Sequence, residues 1–292
     1  MKIARLFLII VYVVSSLPVM GEGLRFHGEE QVEDSVEEHE NPYDALVKQG
    51  MDALVIDSMR QAEDCFLQAL KQFPHHQSNF LLYRYLGQIR EHQNRGQEAL
   101  EFYTSGLDLN PTNLELRLDR AAWVDRLGND GRAISDYSDV LDQEPDNIEA
   151  LNMRAHLYSR IHDYKRARTD YEHIIRLEPL NERAYVGLIL VNDRSGRPRE
   201  AMEQIDALIS VYPKHALLYA IRGGMEHRRM EYEQALADLS RAVEMEPTNV
   251  DFLVSRATLY LDMRKRKLAS ADVQAALRLG ADPLEMASLL KR

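Results

Sequence analysis

The sequence predicts an all-α protein made of seven helical hairpins stacked side by side, and three columns of residues predict it. Pro74, Pro111, Pro145, Pro179, Pro213 and Pro247 stand 34 residues apart after a first gap of 37. Twelve residues before each proline, or before Ala281 in the last unit, stands an alanine: Ala62, Ala99, Ala133, Ala167, Ala201, Ala235 and Ala269. Twenty-four residues before the same points stand Gly50, Gly87, Ala121, Ala155, Gly223 and Ala257. A fixed period of this length marks a repeat array in which each unit is one supersecondary element. Two helices approach closely only where a side chain is small, so the two small columns mark helix crossings. Phe66, Tyr103, Tyr137, Tyr171, Ile205, Leu239 and Val273, one turn after each alanine, fill the groove beside the crossing. Proline cannot continue a helix and fits the turn that follows it. A lone hairpin leaves one side uncovered, and stacking covers it.

Taken in chain order, the elements begin with a leader. Lys2 and Arg5 precede the apolar run Leu6 to Val14, followed by small residues and Gly21. This charge, length and ending fit a secretory signal over 1–21 cut after Gly21, and the apolar run is well short of the roughly twenty residues that span a bilayer. The chain is therefore expected outside the cytosol, periplasmic in the first instance, with a secreted or secretory-lumen location open and no stable membrane anchor after cleavage. Residues 22–42 form an acidic lead-in with Glu22, Glu29, Glu30, Glu33, Asp34, Glu37, Glu38 and Glu40 against Arg25. Such a segment repels itself, has little to bury and is expected to be flexible. The hairpins then occupy 43–76, 80–113, 114–147, 148–181, 182–215, 216–249 and 250–283, with three extra residues after the first. A partial capping helix continues over 284–292.

Composition closes several other routes. Against 47 acidic residues there are 36 Lys and Arg, a net charge of -11, which argues against phosphate-backbone binding and hence a nucleic-acid partner. The single cysteine, Cys65, excludes an internal disulfide and a cysteine-based metal cluster. Ten histidines are present, but none lies in a His-Glu-x-x-His or other ligand spacing, and no nucleophile elbow or phosphate loop occurs. No catalytic residue, metal site or cofactor is expected, and Cys65 is expected as a small buried thiol.

These columns resemble the tetratricopeptide repeat family over residues 43 to 283. The resemblance implies a right-handed superhelical solenoid whose first helices line a concave surface, and a non-enzymatic scaffold that binds a protein or peptide there. The family's chaperone-tail clamp needs Lys and Asn at defined places; Arg84, Gln88 and Asp119 stand there instead, so the clamp is not expected. The small column fails once, at Ile189, in the unit that also carries Pro198. That unit is expected to pack differently from its neighbours and to bend the array.

Two charge ladders run along the repeats. Arg120, Arg154, Arg222 and Arg256 stand at the seventh place of their units, and Asp136, Asp170, Asp238 and Asp272 at the twenty-third. The columns appear and vanish together, so each pair is expected as a partly buried salt bridge between the two helices of one hairpin. The second ladder is Arg126, Arg160, Arg194 and Arg228, at the C-terminal ends of first helices. A cation there complements the helix dipole, worth about 0.3–1 kcal/mol. The same ladder could instead form an anion track, because guanidinium forks suit carboxylates. That reading admits an acidic partner, or, as the alternative function, a carrier or regulatory subunit for an anionic small molecule or glycan. The acidic lead-in is a candidate occupant of the same track. Met153, Val186, Leu190, Leu217 and Ile221 fall where the resemblance places the concave face, and serve either as an apolar docking surface or as packing for the irregular unit. The partner's identity and the oligomeric state are not legible.

Overall fold

The computed structural model describes residues 41–291. The expected leader over 1–21, nearly all of the acidic lead-in and Arg292 lie outside the described residues. Fifteen helices and no strand occur among the described residues. The chain divides into two compact units, one ending at Val140 and the other beginning at Leu141.

The first unit holds α1 (Pro42–Val55), α2 (Met59–Gln72), α3 (Asn79–His92), α4 (Gly96–Leu109), α5 (Leu114–Arg126) and the larger part of α6 (Asp130–Gln143). Helix α1 starts earlier than expected, and Asn41 and Pro42 belong to it rather than to the lead-in. Pro42 fits the first helical turn, where its missing N–H would be unpaired anyway, and the Asn41 side chain accepts the Tyr43 N–H at 3.1 Å. Gly50 and Gly87 show why the first column is small: a Cβ there would come within 2.3 Å of the Phe66 ring and 2.5 Å of the Tyr103 ring. The large residue of the second helix thus sits directly on the backbone of the first. Ala62 and Ala99 are fully buried at the facing crossing.

The second unit holds α7 (Ile148–Arg160), α8 (Tyr164–Leu177), α9 (Glu182–Arg194), α10 (Pro198–Val211), α11 (Ala216–Arg228), α12 (Tyr232–Met245), α13 (Val250–Asp262), α14 (Arg266–Arg278) and α15 (Pro283–Leu290). In it Ala167, Ala201, Ala235 and Ala269 are fully buried. Met286 of α15 is buried against the last hairpin, with Leu289 and Leu290 packed beside it.

The first helices share a start signal. Asn147, Asn181 and Asn249 each follow a proline by two residues and cap their helix, accepting backbone N–H groups of Ala150, Ala184 and Phe252 at 3.0, 3.0 and 3.4 Å. Asn113 does the same for Leu116 at 2.8 Å in the first unit. They share an ending too. Asn94, Gly128, His162, Gly196, Met230 and Arg264 adopt positive φ between 57° and 82°, 34 residues apart. That left-handed residue closes the first helix and turns the chain into the second.

In the hairpin of α9 and α10 the second helix keeps its length. Pro198 stands in the first turn of α10, where it is tolerated, and α10 keeps the 14 residues of α8 and α12. Ile189 is buried among Ala201, Ile205, Ile209, Leu218 and Met225. Volume is exchanged across the crossing: Gly50 faces Phe66, whereas Ile189 shares its core with the slimmer Ile205.

Candidate functional site

The Arg–Asp ladder is a set of internal struts. Arg120, Arg154, Arg222 and Arg256 each donate two hydrogen bonds, from Nε and Nη2, to the carboxylate of Asp136, Asp170, Asp238 and Asp272, at 2.6–2.9 Å. All four aspartates are buried. Two parallel bonds to one fork fix the relative rotation of the two helices as well as their spacing. The hydrogen bond to Asp238 is the largest influence on Arg222 and holds its guanidinium above the ordinary arginine range, against the opposing effect of burial. Arg222 also donates to Asp206 at 2.7 Å.

Where the strut is missing, other polar groups take its place. In the second hairpin, buried Arg90 on α3 reaches Glu98 of α4 at 3.0 Å, grips Glu63 of α2 in the first hairpin through two bonds of 2.8 and 2.6 Å, and lies 5.8 Å from the Phe102 ring. In the fifth, with Leu188 and Gln204 at the strut positions, fully buried Asn192 donates to Gln204 Oε1 at 2.8 Å. In the first, Cys65 stands at the aspartate position, with Gln49 at the arginine position, and is half-buried rather than buried. Arg90 and Asn192 share the eleventh place of their units with Glu226, and a polar residue in that mostly apolar column was the unused signal for all three.

Two members of the second ladder are taken up by carboxylates of this chain. Arg126 pairs with Glu91 and lies 4.5 Å from the Trp123 ring. Arg228 donates to Asp193 at 2.6 Å. Both carboxylates stand 35 residues earlier, on the preceding first helix, one turn position away from the arginine. The same register is inverted at the next step, where His227 meets Asp262 at 2.7 Å. Thirty-five residues before Arg194 stands Ser159, and Arg160 is itself engaged. An anion arriving at Arg126 or Arg228 would therefore meet a guanidinium that already bonds a carboxylate of this chain. Arg84 is likewise held by Asp119 and Glu115, and Gln88 donates to Asp119 at 2.9 Å.

The apolar set divides in two. Val186 and Ile221 back onto the core around Ile189 and Ile205. Leu217 is 42% exposed, and Met153 and Leu190 are half-buried. Among the described residues no group of His, Cys, Asp and Glu is placed to hold a metal, and no helix is long and apolar enough to cross a membrane.

A family model described as tetratricopeptide repeat matches residues 47–113, 152–202 and 193–250, more than half of the chain. Among solved structures, the chain is similar to a tetratricopeptide repeat protein from Parabacteroides merdae ATCC 43184, with 26% identity over 86% of this chain and 98% of that one and a TM-score of 0.77. It shares its fold with TTC0263, a tetratricopeptide repeat protein of Thermus thermophilus (22% identity, 62% and 100% coverage, TM-score 0.54). The same holds for PilF of Pseudomonas aeruginosa (17% identity, 73% and 96% coverage, TM-score 0.51). Among curated proteins none matches.

Proposed function

The chain belongs to the tetratricopeptide repeat family, and from that premise we propose that it is a non-enzymatic interaction scaffold holding a protein or peptide partner on the faces of its first helices. One observation carries the reading: Met153, Leu190 and Leu217 leave apolar surface uncovered on first helices whose opposite sides are fully packed. Uncovered apolar side chains rimmed by charge suit a partner's apolar face. The struts support the role physically. Helices fixed in rotation by bidentate bonds lose little entropy when a ligand arrives, so binding energy is not diverted to ordering the host. The place of action proposed is outside the cytosol, on the strength of the Lys2–Gly21 segment; mass spectrometry of the N-terminus of the exported chain tests it, and an intact Met1 in the cytosolic fraction would refute it.

The scaffold reading is tested by capture on the immobilised chain, with retained proteins identified by mass spectrometry and their affinity measured. A variant carrying Leu190→Asp and Leu217→Asp is expected to lose the partner, while Arg126→Ala, Arg160→Ala and Arg194→Ala together leave it bound. Loss in the arginine variant with retention in the apolar one overturns the proposal.

A further inference from the structure

The fifth hairpin contains a cavity at a place where polar pairs stand in the third and fourth hairpins. It measures about 330 Å³ and lies between the turn before α9, the first turn of α9 and the last turns of α10. Its walls are Leu180, Tyr185, Leu208, Val211 and Tyr212, with Glu182 and Gln204 as the polar groups. Leu180 and Val211 at its mouth are 84% and 66% exposed.

The repeat supplies its own controls, because the same positions can be read in neighbouring hairpins. In the fourth hairpin, Asp146 occupies the place of Leu180 and His173 the place of Ala207; the two bond at 2.9 Å across the mouth. In the third, Arg117 occupies the place of Tyr185 and Asp139 that of Ala207, and these two also pair. In the sixth, Arg241 stands at the Ala207 place, and the Tyr219 hydroxyl, at the Tyr185 place, donates to the Pro213 carbonyl at 3.1 Å. Of these four hairpins, only the fifth has both polar closing partners replaced, by Leu180 and Ala207, so that the space stays open and becomes apolar. The strut is replaced in the same hairpin, which puts Gln204 on the wall. Its Oε1 accepts from Asn192, leaving the Nε2–H donors available.

We propose that this cavity is a docking pocket for one large apolar side chain, aromatic or of leucine size, on a partner polypeptide that carries a basic residue beside it. The inference rests on the scaffold reading and names a site within it. The volume lies at the small end of ligand cavities, which run from roughly 300 to 1,000 Å³, and suits one side chain rather than a nucleotide or cofactor. An apolar anchor in a pocket is where binding energy concentrates. The sign of the neighbour follows from charge: Glu182 is the single formally charged group of the lining, and it is already half-committed to His215 at 3.1 Å through one oxygen. A cation next to the anchor meets the remaining oxygen, whereas a carboxylate is repelled. The amide donors of Gln204 can bond a backbone carbonyl of the arriving segment.

The test uses the full chain labelled at Leu and Val methyls, titrated with the blocked tripeptides Lys-Trp-Lys, Glu-Trp-Glu and Lys-Ala-Lys. Lys-Trp-Lys is expected to move the methyl signals of Leu180, Leu208 and Val211 by ring current. Glu-Trp-Glu should require about tenfold more peptide for the same shift, the equivalent of about 1.4 kcal/mol, and Lys-Ala-Lys should move none of them. Leu180→Asp with Ala207→His rebuilds the closing pair of the fourth hairpin and is expected to abolish the shifts at Leu208 and Val211; Ala207→Arg alone is the second variant. Shifts that persist in both variants overturn the pocket. Shifts confined to Leu190 and Leu217 overturn it while leaving the scaffold reading standing, and absence of any shift overturns it independently of the capture result.

Discussion

Glu226 offers the sharpest test of the energetics. It lies on α11, is 7% exposed, and its Oε2 has no hydrogen-bond partner. Burial is the main reason its carboxyl is pushed up to about 7, with the negative charge of Asp238 next; Arg222 pulls the other way, Glu231 raises it further and Arg229 lowers it. An unfolded glutamate titrates near 4.5. The folded state therefore binds the Glu226 proton more tightly, and the stability this contributes is complete below about 4.5 and lost as pH rises through about 7. The full linkage over that window is about 3 kcal/mol, and solvent screening reduces it to about 1–2 kcal/mol. Glu226→Gln keeps the shape and removes the charge. Urea denaturation followed by circular dichroism should show the variant more stable than the parent by about 1–2 kcal/mol at pH 8 and equal to it at pH 4. Equal midpoints at both pH values, or a variant less stable at pH 8, would show that Glu226 is ionised and satisfied in the folded state and would refute the reasoning.

Three further outcomes are expected. Asp272→Ala should cost up to about 3 kcal/mol because it leaves half-buried Arg256 without its carboxylate, whereas Arg256→Met with Asp272→Leu should come close to the parent; a double-mutant cycle from denaturation midpoints checks both. Gly87→Ala pushes a methyl to 2.5 Å from the Tyr103 ring and should cost about 1–3 kcal/mol, relieved by adding Tyr103→Leu, as read from thermal unfolding. Met230 is 74% exposed with φ at 61°, so Met230→Gly should raise the melting temperature, by the equivalent of about 1 kcal/mol.

The candidate site was legible in uneven measure. The struts could be read because Arg and Asp appear and vanish together, and such covariation across internal copies reports contact much as a set of relatives would. The caps are equally readable in Pro145-Asp146-Asn147 and its counterparts, where an asparagine stands just before the first helix. For the ladder beginning at Arg126 the sequence left two readings open, since a column of like charges looks open until its neighbours are known. Glu91 and Asp193 stand in a different column, 35 rather than 34 residues away, and the offset of one becomes contact only when two first helices lie side by side.

By itself the sequence determined the unit, its period and its count, because close helix crossings demand small residues and those recur in a line that needs no coordinates to see. Tertiary structure decided which charges remain available and where space is left over. Leu180, Ala207 and Gln204 are ordinary residues, each in its own column. They make a pocket because the turn before α9 and the last turns of α10 converge, and because the polar pair that closes this gap in the fourth hairpin is absent here. A cavity is a property of several distant residues failing together to fill one volume, and only packing brings those failures to the same place.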